Sequence, residues 1–174
     1  AASPAVRAAF AALYQNRDGI LDALAATWQR LVTALGDTAA IAGYDLFDEP
    51  LQVFDPALSE AALTGLHRSL IGAVRAGEAA IGIRPRLALV QPSSTFPAPG
   101  SMPTHPLALD GDIVLAPHVG DRSGGIGGSP TQALAALSDV ATERGWPLWV
   151  GEIGVESIEA DARDLAAAAV AAQD

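Results

Sequence analysis

Short apolar segments alternate with longer amphipathic segments along this chain, and this alternation constrains the fold more than any other feature. Segments 41–47, 87–90, 113–116 and 148–150 have the length and composition of strands. Apolar residues recur at helical spacing over 5–14, 20–35, 56–77, 130–144 and 157–172. Strands that are apolar throughout are typical of parallel sheets, which helices cover on both faces. The sequence therefore predicts an α/β fold, either a barrel or a doubly wound sheet.

Composition narrows both the size and the class of the protein. The 174 residues are 50% hydrophobic, which is enough for one well-buried domain and too little for two. We therefore expect a single domain over residues 1–174. No segment approaches the roughly 20 apolar residues of a membrane span. Without cysteine the chain has no disulfides, no thiolate nucleophile and no cysteine-based zinc site.

The charge balance indicates the kind of partner. The formal net charge is −10, and the ten basic residues are scattered along the chain. Nucleic-acid binding needs a clustered basic surface, which the sequence lacks. We therefore expect no nucleic-acid partner, and a substrate that is neutral is compatible with the acidic surface.

Polar residues stand where the predicted strands end. Asp48 and Glu49 follow the first strand, His118 follows the third, and Glu152 follows the fourth. In barrel enzymes the catalytic groups lie at the carboxyl ends of the strands, so these side chains are expected to share one pocket. Two glutamates in this arrangement suit a retaining glycosidase, in which one carboxyl donates a proton and the other attacks the sugar.

Three sequence motifs carry a resemblance to a known family. Segment 43–50 reads Gly-Tyr-Asp-Leu-Phe-Asp-Glu-Pro and closely resembles the strand-four signature of glycoside hydrolase family five, in its endoglycoceramidase-like branch. Segment 116–118, Ala-Pro-His, is similar to the strand-six motif of that branch, and segment 149–154 to the strand-seven motif that holds the nucleophile. The resemblance covers roughly residues 10–154, with the motifs in the family's order.

The resemblance implies both a fold and a set of roles. The chain would form strands four to seven of a (β/α)8 barrel, which is its C-terminal portion. Glu49 would be the acid/base and Glu152 the nucleophile of a double displacement. The implied substrate-binding residues are Asp48, His118, Gln91 and Trp149, and His118 would also help to orient the nucleophile. No metal and no cofactor is implied, because two carboxylates and water suffice.

The chain departs from the family pattern at three positions. Asp48 replaces an asparagine that binds the sugar 2-hydroxyl, Gly120 replaces an aromatic residue with a hydroxyl, and Gln91 stands where many relatives have glutamate. The chain is also shorter than the roughly 250 residues of a whole barrel. We therefore expect it to act with the remaining part of the barrel or with another chain, because an open half-barrel exposes sheet edges.

Two further hypotheses remain open at this stage. A non-catalytic carbohydrate-binding or interaction protein on a partial barrel fits the departures, and an α/β enzyme of another class with a chance motif match is also compatible. The leading hypothesis is a hydrolase of a β-glycosidic bond in a glycan or glycolipid. Such an enzyme is expected to be secreted, although the chain shows no signal peptide.

Overall fold

The computed structural model describes residues 2–93, 112–120 and 130–154. In chain order these form helix α1 (Pro4–Tyr14), a 3₁₀ turn (Arg17–Gly19), α2 (Ile20–Leu35), β1 (Gly43–Asp45), α3 (Pro56–Ile81), β2 (Leu87–Val90), β3 (Ile113–Leu115), β4 (His118–Gly120), α4 (Pro130–Arg144) and β5 (Glu152–Gly154). The predicted helix at 157–172 lies outside the described residues.

Local sequence signals place most of these elements where the pattern predicts them. The Ser3 side chain accepts a hydrogen bond from the Val6 N–H at the start of α1, and the Asp55 side chain accepts one from the Leu58 N–H at the start of α3. The prediction for α3 was too short, because the helix continues past Gly77 to Ile81. It ends at Gly82, which adopts the left-handed conformation that favours glycine (φ +71°).

The strands are parallel, which confirms the predicted α/β class. β1 pairs with β2 and β2 with β3, and β4 pairs with β5. A parallel bridge between Leu115 and Leu148 continues the order from β3 towards β5. Four neighbouring parallel segments therefore run in chain order, as strands four to seven of a barrel would.

The fourth strand does not lie where the sequence predicts it. Segment 148–150 makes only the bridge at Leu148, and the regular strand is β5, which begins at Glu152. Two residues separate Leu115 from His118, whereas three separate their partners Leu148 and Glu152. One extra residue therefore interrupts the ladder on the side of β5, as in a β-bulge. Pro117 lies opposite this interruption and has no N–H with which to continue the pairing.

The main core lies between the sheet and helices α2 and α3. Its buried residues are Leu21, Val32, Tyr44, Leu46, Leu63, Leu66, Leu70, Ile71, Val74, Ala88, Val90 and Ile113. A second cluster of Leu115, Val119, Leu137 and Ala141 packs α4 against the β3–β4 segment. Within the described ranges, no helix is long and apolar enough to cross a membrane.

The two faces of the sheet differ in burial. Tyr44, Ala88 and Val90 are buried, whereas Leu87 on the alternate face of β2 is 41% exposed. All three residues of β3 are buried. The predicted coverage of both sheet faces is therefore correct for β3 and wrong for β1 and β2. The alternate face of β1 and β2 corresponds to the interior of a barrel, which this part of the chain leaves partly open.

Close packing of α2 against α3 depends on Gly77. A methyl group at this position would lie 2.9 Å from the Gln29 carbonyl oxygen and 2.9 Å from the Val32 Cβ. Neither atom is the end of a flexible side chain, so the helices would have to separate. This contact explains why a glycine stands in the middle of a long helix, where it otherwise costs stability.

Two of the buried polar residues on α3, Glu78 and His67, differ in their partners. Glu78 is 1% exposed and pairs with Arg75 at 2.8 Å, while its other oxygen accepts a hydrogen bond from the Arg86 N–H. This network joins the end of α3 to the start of β2. His67, in contrast, is completely buried, and neither of its ring nitrogens has a hydrogen-bond partner among the residues that the structure describes. Burial lowers the pKa of His67 from 6.5 to about 4.

We expect Gly77→Ala to lower the free energy of unfolding by about 1–3 kcal/mol, because the added methyl group overpacks the α2–α3 contact. Gly72→Ala is the matched control on the same helix, since a Cβ there meets nothing within 4 Å. The control should be neutral or stabilising by up to about 1 kcal/mol. Urea unfolding of both variants measures the difference, and equal effects would contradict the packing argument.

We expect His67 to make the fold sensitive to acid. Because its pKa in the folded state is lowered to about 4, its contribution is present above the unfolded value of 6.5 and is lost as the pH falls towards 4. The wild-type protein should lose about 2 kcal/mol from this group between about pH 7 and about pH 5. His67→Met should show a smaller loss in urea unfolding at these two pH values. The same pH dependence in both proteins would show that another group is responsible.

Candidate active site

The polar residues that follow the strands meet at one edge of the sheet. Asp48 and Glu49 follow β1, Gln91 follows β2, His118 opens β4 and Glu152 opens β5. Because parallel strands end on the same side of a sheet, residues that are far apart in sequence come within contact distance there. Five of the six predicted site residues are brought together in this way.

His118 lies at the centre of the group. Its Nδ1 atom is 3.1 Å from Oε1 of Glu49 and 3.6 Å from Oε2 of Glu152. On the other side of the ring, Nε2 lies 3.3 Å from Nε2 of Gln91 and 3.7 Å from Oδ1 of Asp48. The side chain of His118 is only 11% exposed, whereas those of Glu49 and Glu152 are 48% and 72% exposed. The histidine thus lies beneath the two carboxylates.

The shared nitrogen limits the separation of the two glutamates. Oε1 of Glu49 and Oε2 of Glu152 lie 3.1 and 3.6 Å from the same nitrogen. The distance between these two oxygens is therefore at most the sum of the two, about 6.7 Å. Retaining glycosidases place their carboxyls about 5–5.5 Å apart, and inverting ones about 6.5–9.5 Å. For these two oxygens the limit includes the retaining distance.

Gln91 joins three of the strand ends through its amide. This side chain is buried, with 2% exposure. Its oxygen accepts a hydrogen bond of 2.8 Å from the Glu49 N–H, and its nitrogen donates one of 3.1 Å to Oδ2 of Asp45. The same nitrogen faces the His118 ring. Gln91 therefore fixes the backbone of one glutamate and the imidazole between both.

Glu49 has an unusual backbone conformation. Its φ is +41°, in the left-handed region that residues with a side chain rarely adopt. Such a conformation costs on the order of 1 kcal/mol and persists where surrounding contacts determine it. The hydrogen bond to Gln91 is one such contact. Strain of this kind is concentrated at functional sites, which supports a specific role for this turn.

The two N-terminal helices hold the segment that carries Glu49. The Trp28 Nε1–H donates to the Leu46 carbonyl at 3.2 Å, and the Tyr14 hydroxyl donates to the Leu51 carbonyl at 2.9 Å. The Arg7 guanidinium donates to the carbonyls of Gln52 and Val53, at 3.2 and 2.9 Å. Burial raises the pKa of Tyr14, so its hydroxyl remains a donor. These bonds fix the chain on both sides of Glu49.

Asp45 belongs to this network, although the sequence argument assigned it no role. It is the last residue of β1 and accepts the hydrogen bond from Gln91. Partial burial raises the pKa of Asp45, the hydrogen bond from Gln91 lowers it, and the charge of Asp48 raises it further. An acidic residue inside a predicted strand was the available signal, because such a position is otherwise apolar.

Trp149, the sixth predicted site residue, lies three positions before Glu152. Its backbone N–H donates to the Leu115 carbonyl, and its side chain is 63% exposed. Its assignment to substrate binding stays a prediction. Among the described residues, no three histidine, aspartate or glutamate side chains are arranged to hold a metal ion.

Comparison with known proteins supports the resemblance read from the sequence. No family model matches the chain, and no curated protein matches it. A solved structure described as an endogalactoceramidase does match, with a TM-score of 0.77 and 30% sequence identity. The match covers 90% of this chain and 35% of the other, so the chain spans about a third of that enzyme. This confirms the predicted resemblance to the endoglycoceramidase-like branch and to part of an α/β barrel.

We expect glycine to be favoured over alanine at position 49, because only glycine adopts a positive φ without steric cost. Glu49→Gly should be more stable than Glu49→Ala by about 1 kcal/mol in urea unfolding. The exposed helical position Asp139 on α4 is the control, where alanine should be the more stable by about 1 kcal/mol. If the alanine variant were the more stable at both positions, or the glycine variant at both, the strained conformation of Glu49 would be contradicted.

Proposed function

We propose that this chain carries the catalytic carboxylates of a retaining glycoside hydrolase, which cleaves a β-glycosidic bond in a glycolipid or glycan. The observation that carries the proposal is the contact of Glu49 and Glu152 with the same nitrogen of His118. Likeness of fold to a glycosidase supports the class of enzyme. The motifs at 43–50 and 149–154 support the assignment of the two roles.

In the first step, Glu152 attacks the anomeric carbon as a carboxylate. The bond between this carbon and the leaving oxygen breaks, and Glu49 donates its proton to that oxygen. A covalent ester between the sugar and Glu152 results. His118 lies beneath both carboxylates and is placed to donate a hydrogen bond to the one that is ionised.

In the second step, Glu49 is ionised and acts as the base. It takes a proton from a water molecule, whose oxygen attacks the anomeric carbon and displaces Glu152. Two inversions at the same carbon give net retention. Both carboxylates recover their initial protonation states, so the cycle needs no metal and no cofactor.

The structural relative supports a proposal for the substrate class. Its name states that it acts on a galactosyl ceramide, so we propose a β-linked glycolipid before a soluble polysaccharide. A glycolipid hydrolase of this type is expected to be secreted, and carbohydrate is the expected ligand. Asp48, His118 and Trp149 remain the proposed substrate-binding residues, whereas the buried amide of Gln91 is engaged by its protein partners and is proposed to act through them.

The exposure of the carboxylates supports a role for further polypeptide. Side-chain exposures of 48% for Glu49 and 72% for Glu152 are high for groups that react in a site from which water is excluded. We propose that the remaining part of a barrel, from the same protein or a partner chain, covers this edge of the sheet. The exposed face of β1 and β2 is consistent with such a cover.

We expect the two glutamate variants to differ in their response to the leaving group. Glu152→Gln should abolish turnover of every β-glycoside while sugar binding persists, because the amide cannot attack. Glu49→Gln should lose about 10²–10⁴-fold on a glycolipid. Its kcat/KM should fall much less on a nitrophenyl glycoside, because kcat/KM reports the first step and this leaving group needs no proton.

The measurement is steady-state hydrolysis by the protein in its native form, with any chain that copurifies with it, and sugar binding is followed by calorimetry. Glu143→Gln on the exposed surface of α4 is the matched control and should leave turnover unchanged. Binding of sugar without any turnover by the wild-type protein would favour a non-catalytic carbohydrate-binding role. Equal losses of kcat/KM for Glu49→Gln on both substrates would contradict its role as the acid.

A further inference from the structure

The amide of Gln91 can occupy its site in only one orientation. The Glu49 N–H is a donor in every protonation state, so the atom that faces it at 2.8 Å must be the amide oxygen. The Asp45 carboxylate is an acceptor, so the atom that faces it at 3.1 Å must be the amide nitrogen. The reverse orientation would place donor against donor and acceptor against acceptor.

This orientation determines the state of the His118 ring. The amide nitrogen of Gln91 has two hydrogens, of which one is directed to Asp45. The other faces Nε2 of His118 at 3.3 Å. Nε2 can accept this hydrogen only if it carries no proton itself, so the proton of the neutral ring must lie on Nδ1.

We propose that Gln91 is a positioning residue that holds His118 in the Nδ1–H tautomer, with Asp45 and the Glu49 backbone fixing the amide. The Nδ1–H is then directed towards Glu49 and Glu152, at 3.1 and 3.6 Å. Asp48 favours a proton on Nε2 only weakly, because its side chain is 78% exposed and its Oδ1 atom lies 3.7 Å from Nε2, beyond hydrogen-bond distance.

The catalytic consequence rests on the proposed function. A glycosidase of this type ionises Glu152 before the first step and Glu49 before the second. A single N–H that lies within reach of both carboxylates can stabilise whichever one bears the charge. In the Nε2–H tautomer, the lone pair of Nδ1 would face both carboxylates. This would disfavour the ionised form of Glu152 in the first step and of Glu49 in the second.

The tautomer can be measured without any enzyme assay. Long-range ¹H–¹⁵N correlation spectra of the histidine rings distinguish a nitrogen that carries hydrogen from one that does not. The chain has three histidines, and His118→Asn identifies the signals of His118. At about pH 8 we expect hydrogen on Nδ1 and none on Nε2.

Two substitutions test the cause. In Gln91→Glu an acceptor oxygen replaces the amide nitrogen, so the ring proton should move from Nδ1 to Nε2. In Gln91→Met the donor is lost without a new acceptor, and the preference for Nδ1–H should fall to a mixture of tautomers. Gln29→Glu on the exposed face of α2 adds the same charge at a distance and should leave the His118 signals unchanged.

An Nε2–H tautomer or a doubly protonated ring in the wild-type protein would overturn the proposal. So would an unchanged tautomer in Gln91→Glu and Gln91→Met, provided that both variants keep the folded spectrum. Failure of the proposed function is a separate result, because it appears as absent turnover while the tautomer remains Nδ1–H.

Discussion

Parallel pairing of the strands is the constraint on which the site depends. Glu49 and Glu152 are separated by about a hundred residues in the sequence, yet each follows or opens a strand that runs in the same direction. Helices α3 and α4 return the chain to the other end of the sheet between strands, as parallel connections require. The register at β2 then places Gln91 between β1 and β4, where its short amide reaches both.

The supporting structure is built mainly by the N-terminal half of the described chain. The tight α2–α3 contact at Gly77 and the buried Glu78 network fix the outer layer against β1 and β2. Helices α1 and α2 then hold the segment after β1 through Arg7, Tyr14 and Trp28. A strained residue such as Glu49 needs this kind of support, because its conformation is not locally favoured.

Sequence patterns predicted the elements whose signals are local, and missed those that depend on distant contacts. Periodicity and caps placed α1, α2, α4 and β2, and the polar strand ends predicted that Glu49, His118 and Glu152 would meet. Gly77 looked like a helix end, because its reason for being glycine is the neighbouring helix. The regular strand at β5 was placed too early for a similar reason, since its pairing is decided by its neighbour across the sheet.

Within the candidate site, the sequence predicted that the two glutamates would meet, but not which side chain contacts both the Glu49 backbone and the His118 ring. Gln91 was read as a departure from a family glutamate, whereas the structure gives its amide a definite pairing with Asp45 and the Glu49 backbone. An amide differs from a carboxylate here because one of its two terminal atoms is an acceptor oxygen and the other is a donor nitrogen. Such directional roles are invisible until the partners' atoms are placed.

The unpaired residue between Leu148 and Glu152 has a consequence for how this protein tolerates changes in length. Removing one residue from 149–151 would leave two residues between the partners on each strand, so the ladder would continue without interruption and Glu152 would still lie opposite His118. Removing two residues would draw Glu152 back by about 3.3 Å along the strand and turn its side chain to the opposite side of the sheet. The connection can therefore lose one residue, but not two, before the carboxylate is separated from His118.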